Sequence, residues 1–164
     1  DTDWSTVDVM ANEAIQDINI VSGCLKQWFR ELPDPLLTYQ LYPAFIEASK
    51  IENDFLRQVR LHEQVNNLPD ANYATLRFLM AHLDRIRAHE SINQMSAHNL
   101  AIVFGPTLLR SPHEAQMAGA GAAASHGGVG QMYFPDMSLQ CKAIETILLK
   151  YRDIFVESDE DDLS

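Results

Sequence analysis

Lys26 and Arg30, in "GCLKQWFRELPDPLL", are the first side chains whose types and spacing could do chemistry. On a helix, residues four apart are neighbours, and like charges there repel by roughly 0.2–0.5 kcal/mol. The chain carries a formal net charge of −11, so a local basic pair stands out. Such a pair suits recognition of an anionic surface, although basic residues on an exposed helix face are usually just solvated. Arg30 also has Glu31 and Asp34 close in sequence as local partners. The second candidate is Asn99, three residues after Ser96 and just before the apolar run of "NLAIVFGPTLLR". Residues of this type often satisfy free backbone donors at a helix start. A polar contact with a partner is the other reading.

Reaction chemistry finds little support. Ser, His and Cys occur, but in no arrangement with a recognisable supporting base. The six histidines include no HExxH pair and suggest no metal site. There is no GxxxxGK[ST] phosphate loop and no GxGxxG, so the chain does not look like a nucleotide-binding enzyme. Cys24 and Cys141 lack CxxC spacing, which argues against a disulfide framework or a zinc site. Both fall on the apolar side of helical patterns, which predicts buried thiols and fits a reducing compartment.

The elements that must position these residues read as helix after helix, since apolar residues recur at three- and four-residue spacing and strict alternation is scarce. The expected fold class is all-α. On a helical wheel over 20–32, Val21, Cys24, Leu25, Trp28 and Leu32 form one apolar face, with Lys26, Arg30 and Gly23 opposite. That predicts a helix over about 19–32, capped by Asp17 or Asn19 and stopped by Pro33 and Pro35. Pro43 suits the first turn of the next helix. A third, over 54–67, carries Phe55, Val59, His62 and Val65 on related turns. A long amphipathic helix follows with Tyr73, Leu76, Met80, Leu83 and Ile86 or Arg87. Ser96 begins another, which Gly105 and Pro106 are expected to end. The last, over about 138–155, offers Leu139, Ile144, Ile147, Leu148, Tyr151 and Phe155 to the core.

At 164 residues the chain fits one domain, here 1–156, and its 46% hydrophobic content supports a real core. Five of its seven glycines lie between Gly119 and Gly130, so 111–136 reads as a flexible Gly/Ala-rich insert. The tail, 157–164, is acidic and reads as disordered. Even without it the body carries more acids than bases, which argues against a general nucleic-acid binder. No apolar run approaches the roughly 18 residues of a membrane span, and the N-terminus has no signal-like pattern. Membrane insertion and secretion are therefore not expected.

The blocks "LKQWFRELPDPLLTYQLYPAFIEASK", "LPDANYATLRFLMAHL" and "NLAIVFGPTLLR", in that order over roughly 17–112, resemble the GTPase-activating domain of Rho-family regulators, the RhoGAP domain, close to the chimaerin type. The resemblance implies a helical domain that docks on the switch regions of a GTP-loaded Rho-type GTPase and speeds hydrolysis. It assigns Lys26 and Arg30 to the GTPase-facing "LKxxxR" pair, with Arg30 helping to hold the catalytic loop. Asn99 would bond to the GTPase near its switches, and Pro106 would shape the end of that helix beside the site. The repulsion between Lys26 and Arg30 would then be offset on docking. The implied partner is a Rho-family small GTPase, with the domain itself a monomer. It needs no cofactor of its own, because GTP and Mg belong to the partner. A cytoplasmic location follows, with membrane recruitment left to other domains of a full protein.

One departure from the family pattern bears on activity. The family supplies a catalytic arginine from an upstream loop resembling GxFRxSG, and no arginine lies between Asp1 and Asn19. "VSG" at 21–23 aligns better with the start of the LK helix. The chain is expected to begin inside the domain, without the finger. Because an arginine supplied in trans is worth roughly 10³–10⁵ in rate, activation should collapse while binding survives. A GTPase-binding module that never activates, and a helical scaffold unrelated to GTPases, are the alternatives. Uncovered apolar surface should also leave this chain less stable than a complete domain.

Overall fold

Asp17 starts the first helix by accepting the Asn19 backbone N–H at 2.9 Å, which satisfies one of the donors that a helix start leaves free. The computed structural model describes residues 17–112 and 136–155, and among them all regular structure is helical. The expected insert over 111–136, apart from its edges, and the acidic tail over 157–164 lie outside the described residues.

Helix α1, Ile18–Glu31, stops at the Pro33 and Pro35 pair, and α2, Tyr42–Lys50, carries Pro43 in its first turn. Between them Asp34 Oδ1 accepts the Tyr39 N–H at 2.8 Å, while Leu36 and Leu37 turn into the core. Helix α3, Asp54–Asn66, is capped by Asn53, whose side chain accepts the Leu56 N–H at 3.0 Å. Helix α4, Asp70–Arg87, buries Leu76, Leu79, Met80 and Leu83. A single turn, α5, Glu90–Asn93, leads through left-handed Gln94 into α6, Ala97–Leu108. After the undescribed stretch come α7, Met137–Leu149, and the short α8, Tyr151–Ile154.

Helix α7 is the axis of the fold, packing on α6 most extensively and also on α2, α3 and α4. Its buried Ala143, Ile144, Ile147 and Leu148 meet the core residues of those helices. The α6–α7 crossing is close because residue 105 has no side chain. A Cβ there would stand 3.0 Å from both Cα and N of Cys141, so glycine serves here as a packing residue.

That crossing explains one correction. Gly105 and Pro106 do not end α6, which runs on to Leu108 with Pro106 inside it. A proline in a helix interior removes one backbone bond and costs about 3 kcal/mol. Burial of Thr107, Leu108 and Leu109 offsets that cost.

The buried faces of α1 and α3 also differ from expectation. On α1 only Phe29 is buried, and Val21, Leu25 and Trp28 remain exposed, Trp28 at 54%. Cys24 is exposed as well, whereas Cys141 is buried as expected. No described element covers that side of α1. On α3 the buried line is Arg57, Leu61 and Val65, while Phe55 and Val59 face outward. Arg57 goes inside because every part of its guanidinium finds a partner. Its Nε donates to Thr146 Oγ1 of α7 at 3.0 Å, Nη1 to the Ile51 carbonyl at 2.9 Å, and Nη2 meets Asp54.

Candidate functional site

Lys26 and Arg30 sit one turn apart on α1, Lys26 half-buried and Arg30 exposed. Among the described residues neither side chain makes an ion pair or a hydrogen bond. The local partners open to Arg30 are otherwise engaged: Glu31 Oε1 accepts from Gln27 Nε2 at 2.6 Å, and Asp34 is bonded to the Tyr39 N–H. Some other cations are paired, Lys50 with Glu47 at 2.6 Å and Arg60 with Glu63 at 2.9 Å. A Cβ built on Gly23 would meet nothing within 4 Å, so the backbone beside the two cations lies open.

Asn99 stands in the first turn of α6 and is exposed. The capping role belongs to Ser96, whose Oγ accepts the Asn99 backbone N–H at 3.2 Å. The Asn99 side chain does something else: its Nδ2 donates to the Gln94 carbonyl at 2.8 Å. Pro106 lies seven residues on, which at about 100° and 1.5 Å per residue puts it on the same side of α6, roughly 10 Å further along. Exposed Ile102 falls between them on that strip.

Helices α1 and α6 pack together, so the elements carrying all four residues are neighbours. Two links fix their relation. The Leu37 N–H donates to the Leu108 carbonyl at 3.1 Å. Arg110, just past α6, donates from Nη2 to the Leu32 carbonyl at the end of α1 and lies 5.8 Å over the Tyr39 ring. Sequence reasoning gave Arg110 no role. Its one signal was a charged residue closing the buried run of "TLLR".

The arrangement is built for contact. Among the described residues no group of His, Cys, Asp or Glu could hold a metal ion. The thiol of Cys141 is pushed up from its ordinary value by burial and then by the Glu145 charge, which keeps it protonated and poorly nucleophilic. A hollow of about 400 Å³ beside Tyr73, Arg77 and Phe78 brings no nucleophile to a base. Two cations without ion-pair partners among the described residues and a fixed amide, on adjacent helices of an acidic chain, suit a polar, anionic protein surface.

Comparison with known proteins identifies the family. The RhoGAP domain pattern matches residues 3–113. N-chimaerin of Rattus norvegicus is 52% identical over 118 residues, covering 72% of this chain and 35% of that protein. Beta-chimaerin of the same organism is 48% identical over 117 residues, 71% of this chain and 39% of its own length. This chain thus spans little more than a third of either chimaerin. The crystal structure of human Rho GTPase activating protein 15 superposes with a TM-score of 0.71 at 36% identity, over 89% of this chain and 62% of the other. The order of the three sequence blocks, the helical architecture and these likenesses place the chain in one family: it belongs to the RhoGAP domain family.

Proposed function

We propose that this chain is a docking and activating domain for Rho-family small GTPases, a regulator that acts in trans on the GTPase active site. It performs no reaction of its own. Lys26 and Arg30 face acidic and polar groups around the GTPase switches, Asn99 adds a directional polar contact, and Pro106 shapes the neighbouring strip of α6. The observation that carries this reading is the Lys26–Arg30 couple, without an ion-pair partner among the described residues, on a helix packed against the one that bears Asn99. Docking supplies counter-charge to a couple that has no ion-pair partner among the described residues, and its mutual repulsion is then offset.

The domain needs no cofactor; GTP and Mg are the partner's. It acts as a monomer in the cytoplasm, where two free thiols are at home, and other domains of a longer protein recruit it to membranes. No helix among the described residues is long and apolar enough to cross one. The sequence holds no GxFRxSG stretch. An arginine supplied in trans stabilises charge on the transferring phosphoryl group and is worth roughly 10³–10⁵ in rate. This chain by itself therefore binds the GTP-loaded partner and accelerates hydrolysis weakly or not at all. A pure binding module is the second reading, favoured by the same missing arginine.

Single-turnover GTP hydrolysis by a Rho-family GTPase, titrated with this chain and with a version extended upstream by a finger-bearing segment, separates the two. Acceleration by the extended version alone supports the activator; acceleration by neither leaves the binding module. Charge reversal at both cations, Lys26→Glu with Arg30→Glu, is expected to weaken binding about tenfold or more. Unchanged affinity in that variant would remove the pair from the interface.

A further inference from the structure

The Asn99 amide is held by a carbonyl that is itself in an unusual place. Gln94, which accepts from Asn99 Nδ2 at 2.8 Å, has φ 58° and ψ 19°, the left-handed region, where residues other than glycine are uncommon. Its direction is set from both sides by one neighbour. Asn93 Nδ2 donates to the Ile86 carbonyl in the last turn of α4 at 2.8 Å, and Asn93 Oδ1 accepts the Met95 N–H at 2.8 Å. The Gln94 N–H closes α5 by donating to the Glu90 carbonyl at 2.8 Å. Asn93 and Gln94 are exposed, so the core does not require this clamp.

We propose that Asn93 is a positioning residue for Asn99: by bridging Ile86 and Met95 it holds Gln94 left-handed and aims the Gln94 carbonyl that fixes the Asn99 amide. One Asn99 N–H is thereby committed to Gln94. The amide oxygen and the second N–H are presented in a set plane, a donor and acceptor pair suited to a peptide group on the partner. Holding the side chain before docking also removes part of the ordering cost that binding otherwise incurs. The functional weight of this inference rests on the GTPase-contact reading of Asn99; its geometry does not.

The test uses the full chain and the side-chain NH₂ resonances of Asn99. In Asn93→Ala these are expected to move to unstructured values and lose protection from exchange, while the backbone resonances of α6 and α7 stay in place. GTPase affinity is expected to fall about fivefold. The double variant with Asn99→Ala should bind no more weakly than Asn99→Ala alone, because the two residues act in series. Adding Gln94→Gly to Asn93→Ala is expected to restore the Asn99 signature, since glycine takes a positive φ without the clamp. If Asn93→Ala fails to fold, Asn93→Asp, which keeps the acceptor for Met95 and loses the donor to Ile86, gives the same readout. An Asn99 signature unchanged in these variants overturns the proposal. A lost signature beside normal GTPase binding by Asn99→Ala keeps the positioning role and removes Asn99 from the interface.

Discussion

Two glycines of this chain face opposite circumstances and predict opposite outcomes. At Gly105 an alanine Cβ would press within 3.0 Å of Cys141 backbone atoms, which cannot swing aside as a side chain can. Gly105→Ala is expected to cost about 1–3 kcal/mol through overpacking of the α6–α7 crossing, read as a lowered urea midpoint. At Gly23 the same Cβ meets nothing within 4 Å. Gly23→Ala should therefore raise stability by about 0.5–1 kcal/mol, the usual helix-interior difference. If the open backbone beside Lys26 and Arg30 serves docking, that variant binds GTPase more weakly while melting higher. The cysteines divide in the same way. Cys24 is exposed, whereas Cys141 is buried with its thiol held protonated. Mass spectrometry of alkylated protein is expected to show modification of Cys24 first and of Cys141 only when the core opens.

Between elements, Arg57 and Arg110 show how single cations tie helices whose apolar faces alone would leave their relation loose. Arg57 joins the start of α3 to Thr146 of α7 and satisfies the Ile51 carbonyl at the end of α2. Arg57→Ala removes these charge-assisted bonds and is expected to cost about 2–3 kcal/mol in chemical denaturation. Asp54→Asn should cost far less, because Asp54 is 82% exposed and surface pairs contribute about 0–1 kcal/mol. Equal losses in the two variants would contradict the view that the buried bonds, rather than the ion pair, hold α3. Arg110 links the end of α1 to α6 as Arg57 links α3 to α7, and it bears on the proposed contact face because α1 carries both Lys26 and Arg30.

Across the whole molecule, stability is concentrated around α7 and thins towards α1. Helices α6 and α7 share the most extensive packing, while α1 buries Phe29 and leaves Ile18, Ile20, Val21, Leu25 and Trp28 exposed. Hydrogen exchange is expected to be slowest in α6 and α7 and fastest in α1, in line with the rule that protection follows local burial. Protection of α1 equal to that of α7 would show that its exposed side is covered in solution. GTPase binding should order α1, slowing its exchange more than that of any other helix, and should weaken as salt rises, since exposed charges are screened over about 8 Å at physiological ionic strength.

The sequence by itself determined what depends on near neighbours. Apolar residues at helical spacing marked each long helix, Ser96 marked one start and Asp17 or Asn19 another, and the Pro33 and Pro35 pair marked a stop, because capping bonds and proline geometry act within one turn. The core faces of α4 and α7 were legible for the same reason: Leu76, Met80, Leu83, Ile144 and Ile147 repeat at the helical period and are buried. The proposed contact residues Lys26, Arg30, Asn99 and Pro106 were picked out by their types, their spacing and the family blocks around them. Tertiary structure alone decided which of two half-apolar faces is covered on α1 and α3. Periodicity shows that a face exists; only an arriving neighbour settles which one it meets. It also carried α6 past Pro106, placed Arg57 inside against a partner 89 residues away, and joined Asn93, Gln94 and Asn99. Those outcomes depend on groups brought together by the folded chain, and no local pattern records them.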